Sequence, residues 1–314
     1  MKKLTLLAFQ EIRRWMYRNA RPVDLAVWQY HFENGSREAV LKALSFYQNE
    51  DGGFGYALEA DSWNPGSSPY TTLNALNMLK SIGFLDMRHS MLQGILRYFD
   101  NCPYCSEAGW YFGIPSNNDH PHAPWWTFNE QANAYESIGL TAEIAGFILL
   151  HGDKESGLYG KALAFADAII DKLRALDKHG DMGVGGYCVL LDCIQKAGLN
   201  GRYDCDFLKR TLATLVHDTI ERDTSKWVYY GVRPSNYIHS PESPYYKKNE
   251  GILLTELDYL IDTRPLHGVW PITWSWFDNN DKYPKEFAIS ENWWKAVKAT
   301  EKVLLLKNFG RLES

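Results

Sequence analysis

The chain has 314 residues, of which 45% are hydrophobic and 23% are charged, and its formal net charge is -5. This composition is typical of a globular protein and excludes a disordered chain. The charges are spread along the sequence without a basic tail or stripe, so we expect no nucleic acid partner. No apolar run reaches the roughly 18 residues that a membrane-spanning helix needs.

The first residues resemble the start of a signal peptide, but the apolar run that ends at Phe9 is short. Charged residues from Glu11 to Arg14 follow it directly, without a cleavage site of small residues, which predicts a first helix instead. The chain has 5 cysteines, an odd number. That number favours reduced thiols over a disulfide framework and predicts a cytoplasmic location.

Apolar residues recur with helical periodicity along most of the chain. The pattern predicts helices over residues 4–19, 23–32, 36–48, 69–82, 87–101, 134–150, 156–177, 184–197, 204–222, 250–262 and 291–307. Several of these helices are followed by a glycine that can end a helix in the left-handed conformation. These glycines are Gly83, Gly152 and Gly198. No segment alternates for long enough to predict a large sheet, so the fold class is all-α.

Long and short connections alternate between the predicted helices, as in a ring of antiparallel helix pairs. The sequence therefore predicts a ring of helix pairs around a central cavity, as a single domain over residues 1–314. In such a ring, alternate connections lie on opposite faces. The long loops then gather on one face, and loops of this length in a compact domain are usually functional.

The long loops share a glycine beside an aromatic residue, which indicates a degenerate helix-pair repeat. Aromatic residues make up 14% of the chain, including 12 tryptophans, and many lie in these loops. Aromatic side chains in loops often line pockets, although burial in a large core is the alternative. The tryptophans that we predict to bind substrate are Trp63, Trp110, Trp125, Trp126, Trp274 and Trp276.

One segment resembles the Gln–Trp repeat of squalene-hopene and related terpenoid cyclases. In that repeat a glutamine is followed by Asp-Gly-x-Trp, and here Gln48 is followed by Asp51, Gly52 and Phe54, with phenylalanine in place of tryptophan. The segment 68–79 after it is similar to the inner helix that follows the repeat in these enzymes. The glutamine is expected to hold the start of the next helix, and the aromatic ring to cover it.

The resemblance implies a divergent member of the α/α-toroid superfamily of terpenoid cyclases and protein prenyltransferases. It implies an acid-initiated reaction on an isoprenoid-like substrate. The sequence contains neither the Asp-x-Asp-Asp acid motif nor the Asp-Asp-x-x-Asp metal motif of these enzymes. An initiating acid must therefore come from other residues.

The loop 57–65 supplies the first candidate acids, because Glu59 and Asp61 lie beside Trp63 just before a predicted inner helix. An acid near an aromatic wall can have a raised pKa and act as a general acid. The alternative interpretation is a turn that Asp61 or Asn64 caps.

The loop 115–126 is the second candidate, because three prolines fix its backbone and polar residues alternate with tryptophans. Asp119 is predicted to orient His122 as a catalytic base or acid. The alternative is a structured lid without chemistry. Convergence of the long loops on one face predicts that Asp61 and His122 lie close together.

Cys102 and Cys105, followed by His120 and His122, are a conceivable zinc set. Their spacing fits no standard zinc finger, so free thiols are the preferred interpretation, and we predict neither metal nor cofactor.

The sequence predicts an enzyme of the terpenoid-cyclase type that acts on a small apolar or isoprenoid-like substrate in an aromatic-lined cavity. Aromatic faces stabilise carbocations by cation–π attraction, worth about 0.5–2 kcal/mol each. One alternative is a carbohydrate-active hydrolase or lyase, since α/α rings also carry such sites and tryptophan stacks on sugar rings. Another is a small-ligand-binding protein without turnover. The partner is in each case a small molecule, and the oligomeric state stays open.

Overall fold

The computed structural model describes residues 1–176, 179 and 182–313. Helices contain 62% of the residues and strands 4%, which confirms the all-α fold class. The helices are α1 (Leu6–Asn19), α2 (Pro22–Phe32), α3 (Arg37–Ser45), α4 (Pro69–Ser81), α5 (Ser90–Asn101), α6 (Glu130–His151), α7 (Gly157–Ala175), α8 (Gly183–Lys196), α9 (Cys205–Thr219), α10 (Tyr246–Thr263), α11 (Asn279–Lys282) and α12 (Pro284–Asn308). Two short strands, β1 (Cys105–Ser106) and β2 (Gly109–Trp110), form an antiparallel hairpin.

The predicted helices correspond to α1–α10 and α12, and most of their ends agree within a few residues. The largest difference is at α12, which starts at Pro284 because proline suits the first turn of a helix. Ser290, which directly precedes the predicted start at residue 291, is buried inside this helix. Residues 177, 178, 180, 181 and 314, which include the end of the predicted helix 156–177, lie outside the described residues.

Side-chain caps explain where several helices begin. Ser68 accepts a hydrogen bond from an N–H in the first turn of α4, and Ser156 does the same for α7. After the C-terminal ends of α4 and α8, Gly83 and Gly198 have φ values of 64° and 74°, which confirms the predicted left-handed conformation. Gly152 has φ -75°, so the prediction is wrong there: the backbone leaves α6 in an extended conformation.

The chain divides into two compact units. Unit 1 contains residues 1–43 and 215–314, and unit 2 contains residues 44–214. The prediction of a single α/α-toroid domain over residues 1–314 stays a prediction. Among the residues that the structure describes, no helix is both long and apolar enough to cross a membrane.

Unit 1 has a core formed by α1, α2, α10 and α12. Its members include Ile12, Trp28, Leu257 and Val303, each of which is fully buried. The two ends of the chain meet in this unit, because the N–H of Leu4 donates to the carbonyl of Arg311 at 2.7 Å. Residues from both ends of the sequence therefore build one core.

Unit 2 contains a close contact between α6 and α8. A Cβ atom added at Gly186 would lie 2.4 Å from the carbonyl oxygen of Gly139, which is closer than any real side chain allows. A Cβ at Gly139 would likewise lie 2.4 Å from the carbonyl oxygen of Met182. The two helices can approach this closely only because both positions are glycine.

The segment that resembles the Gln–Trp repeat holds the starts of two helices. The Nε2 of Gln48 donates to the carbonyl of Gly52 at 3.0 Å and to that of Met91, at the start of α5, at 3.1 Å. The expectation that Gln48 holds α4 is therefore wrong. Phe54 is the residue that contacts α4: it is fully buried, and its N–H donates to Thr72 Oγ1 at 3.0 Å.

Candidate functional site

Unit 1 contains a cleft of about 210 Å³, which we call the Lys302 cleft. Its walls come from segment 230–239, helix α10, segment 271–274 and helix α12. Ligand pockets are typically about 300–1,000 Å³, so this cleft lies below that range and has room only for a small ligand. Its ionisable side chains set it apart from an ordinary surface groove.

Glu256 lies at the base of the cleft and is 1% exposed. It occupies the face of α10 that also carries the buried Leu253 and Leu257. Ser235 holds both carboxylate oxygens, since its N–H donates to Oε2 at 2.8 Å and its hydroxyl donates to Oε1 at 2.6 Å. Burial nevertheless raises the pKa of Glu256 above its ordinary value. The carboxyl group is thus fixed in place and holds a proton more readily than a free glutamate.

Lys302 projects into the cleft from α12, beside the buried Val303 and Leu306. Its Nζ lies 5.2 Å from the ring centroid of Trp270. Within the part of the chain that the structure describes, the amine forms no hydrogen bond and no ion pair. Burial lowers the pKa of Lys302 to about 7, so a large fraction of this amine is neutral at physiological pH.

Neighbouring charged side chains also change the pKa of Lys302. Arg233 and Lys298 each lower the pKa of Lys302 further, and they do so more strongly than Glu301 and Glu256 raise it. Lys298 is itself paired with Glu301 at 2.8 Å. The cleft therefore has a net positive field at the Lys302 amine, and an anion is the ligand that would relieve it.

Aromatic residues form the rim of the cleft. Trp274, one of the tryptophans predicted to bind substrate, is partly buried and lines the cleft beside Tyr230. The two rings meet edge to face with centroids 6.3 Å apart, and Trp294 supports Trp274 from another side at 5.3 Å. This rim offers an apolar surface next to the cationic interior.

In unit 2, the structure brings the two predicted catalytic loops together. The N–H of Ala123 donates to the carbonyl of Asp61 at 2.8 Å, and the N–H of Trp63 donates to that of Pro121 at 2.9 Å. Both Asp61 and Glu59 are buried, with 2% and 3% exposure.

Glu59 is held by α4, because Nδ2 of Asn74 donates to its Oε2 at 2.7 Å. The N–H of Asp61 donates to the other carboxylate oxygen at 3.3 Å. His122 is 5% exposed, and its ring nitrogens lie 2.7 Å from the carbonyl of His120 and 3.0 Å from Thr127 Oγ1. The His122 ring therefore has a fixed orientation. Asp119, in contrast, is exposed to solvent.

The other predicted substrate-binding tryptophans differ in their burial. Trp110 and Trp276 are fully buried, and Trp126 is 3% exposed and stacks on Phe112 at 4.6 Å. Trp63 is partly buried, and Trp125 is 37% exposed. Protein atoms alone already cover Trp110 and Trp276, so Trp63, Trp125 and Trp274 are the ones that a ligand can reach.

No group of three or more metal-ligating side chains occurs within residues 1–176, 179 and 182–313. All 5 cysteines are free thiols, and Cys102 is buried. Comparison with known proteins adds no further constraint: no protein family, curated protein or solved structure matches this chain.

Glu256 and Lys302 are not among the residues predicted from the sequence, although both leave a signal in it. Glu256 follows Leu253 and precedes Leu257, and Lys302 precedes Val303, so each interrupts the apolar stripe of its helix. An ionisable residue on the buried face of a helix is unusual and points to a function or a partner.

Proposed function

We propose that the protein is an enzyme that acts on a small anionic substrate bound in the Lys302 cleft. The observation that carries this proposal is the grouping of Arg233, Lys298 and Lys302 in the lining of one cleft, next to the aromatic rim of Tyr230 and Trp274. Perturbed pKa values of Lys302 and Glu256 in one cleft support catalysis over simple binding. Enzymes place such groups where protons must be exchanged near neutral pH.

The aromatic rim supports a substrate with one apolar face. Sugar acids and other small carboxylates combine an anionic group with such a face, so the carbohydrate-active alternative belongs to this proposal. In this arrangement Arg233 binds the carboxylate, Trp274 covers the apolar face, and the neutral fraction of Lys302 accepts a proton. Glu256 supplies a proton from its protonated form.

We expect Arg233→Ala to weaken the binding of small carboxylates about 10- to 100-fold. A hydrogen bond to a charged group contributes about 1.5–3 kcal/mol, and the substitution removes it. Titration calorimetry with pyruvate and glucuronate measures the change. Lys285→Ala is the control, because it removes one exposed positive charge of unit 1 outside the cleft. Equal affinities for both variants and the wild type would contradict the proposal.

The second candidate function is a terpenoid-cyclase-like reaction on an isoprenoid-like substrate, in an α/α toroid located in the cytoplasm. The position of Phe54 favours it, since this aromatic residue contacts the start of α4, the helix that the resemblance implies, although Gln48 binds the start of α5 instead. Glu59 or Asp61 would then initiate the reaction by protonating the substrate. His122 would orient or accept the proton from the adjoining loop.

With Asp61 as the initiating acid of this candidate, we expect Asp61→Asn to abolish the formation of cyclised products from squalene or farnesyl diphosphate. The amide cannot donate a proton to a carbon–carbon double bond, while its size is unchanged. Gas chromatography with mass spectrometry detects the products, and Asp206→Asn, at an exposed carboxylate of α9, is the control. Wild-type protein that forms no cyclised product from either compound would remove this candidate.

A further inference from the structure

Lys302 has the features of a reactive amine. It lines an open cleft, so small molecules can reach it, and among the described residues it has no hydrogen-bonding or ionic partner. The ring of Trp270 limits the directions in which the side chain can move. A lysine that is desolvated and placed next to other cations is a recognised form of activated nucleophile.

We propose that Lys302 is a nucleophile that forms an imine with the carbonyl carbon of a small oxo acid, while Arg233 and Lys298 bind the carboxylate of that acid. This inference rests on the proposed function and names its substrate class. The carboxylate accounts for the two cations that line the cleft together with Lys302. The carbonyl accounts for an amine that is partly neutral near pH 7.

The reaction balances without an oxidant or reductant. The lone pair of Nζ forms a bond to the carbonyl carbon, and the carbonyl electron pair moves to oxygen. A proton passes from nitrogen to that oxygen, which gives a carbinolamine. A second proton, from solvent, converts the hydroxyl into water; the carbon–oxygen bond breaks, and a protonated imine remains. One amine, one carbonyl compound and one proton thus give one iminium ion and one water molecule.

The groups that face the amine set the pH range of this reaction. Arg233 faces it from segment 230–239, where His239 also borders the cleft, and Glu256 faces it from α10. Lys298 and Glu301 lie on α12 itself. Desolvation, together with the charges of Arg233, Lys298, Glu301 and Glu256, keeps the pKa of Lys302 at about 7. Lys302 should therefore react near neutral pH, where an exposed lysine is almost fully protonated.

The experiment treats the full chain with pyruvate and sodium cyanoborohydride, which reduces imines to stable amines, between pH 5.5 and 9. Peptide mass mapping then locates the modified lysines. We expect Lys302 to be labelled at least about tenfold faster than Lys307 on the same helix, with a half-maximal rate near pH 7. Acetone, which has the carbonyl but no carboxylate, should label Lys302 much more slowly. Lys302→Arg should abolish the specific label while keeping the positive charge.

Binding of lactate, which has the carboxylate but no carbonyl, separates this inference from the proposed function. If lactate binds in an Arg233-dependent way but Lys302 is labelled no faster than Lys307, the imine inference is overturned and the anion site stands. If neither lactate binding nor specific labelling occurs, both fail. If acetone labels Lys302 as fast as pyruvate does, recognition of an oxo acid is overturned.

Discussion

Replacing Lys302 by methionine is expected to stabilise the protein by about 2–4 kcal/mol at pH 6–7. Folding lowers the pKa of this lysine from 10.5 to about 7, and each pH unit corresponds to about 1.4 kcal/mol. The full difference is an upper limit, because the amine borders a cleft and solvent screens part of the unfavourable interaction. Methionine keeps the contact with Trp270 and needs no hydration.

The stabilisation expected for Lys302→Met should decrease as pH rises above about 7. The unfolded chain binds a proton at Lys302 up to pH 10.5, whereas the folded chain loses it at about pH 7. The free energy of unfolding of the wild type therefore rises with pH over this interval, relative to that of Lys302→Met. Urea denaturation of both proteins at pH 6, 8 and 9.5 measures the difference, which should shrink as pH rises.

Lys285→Met, at an exposed position of the same unit, serves as the control and should change stability by less than about 0.5 kcal/mol. A destabilised Lys302→Met protein would show that the lysine contributes to folding. Stabilisation would instead show that the residue is unfavourable for folding and is kept for another reason, as is common at functional sites.

Trp110→Ala is expected to lower the free energy of unfolding by about 3–5 kcal/mol. The side chain is fully buried in unit 2, and its rings pack against Phe99 and Phe165 with centroids 5.7 Å and 4.9 Å away. Its Nε1 donates to the carbonyl of Phe99 at 3.2 Å, and that acceptor would lose its partner. Denaturant titration followed by circular dichroism measures the loss.

Trp125→Ala is the matched control for Trp110→Ala, because the same side chain is removed from a position that is 37% exposed. Its effect on stability should be below about 1 kcal/mol. Both tryptophans are predicted to bind substrate, so their variants separate packing from ligand contact. A Trp110→Ala protein that is as stable as the Trp125→Ala protein would contradict the core position of Trp110.

The helices could be predicted because each carries an apolar stripe several turns long. In α4, for example, Leu73, Leu76 and Leu79 recur at helical spacing and are all buried. The helix α11 and the hairpin of β1 and β2 are too short to show any period. Their backbone hydrogen bonds depend on neighbouring segments, which the local sequence does not reveal.

The candidate sites could likewise be predicted only in part from the local sequence. The sequence predicts Glu59, Asp61 and His122 because they lie in long loops, and the structure shows that these loops adjoin. It does not predict the Lys302 cleft, because the pKa of Lys302 depends on burial and on Arg233, 69 positions earlier in the sequence. Distances between such residues are set by tertiary packing.

The division of the chain has a consequence for protein synthesis. Unit 2 is a continuous segment, whereas unit 1 needs residues 1–43 together with residues 215–314. The ribosome therefore releases all of unit 2 while α1 still lacks its partner α12. Contacts between distant parts of a chain form slowly, because a long loop must close first. Leu4 can therefore pair with Arg311 only after all of unit 2 has been synthesised, and the amine of Lys302 is enclosed later than the core of unit 2.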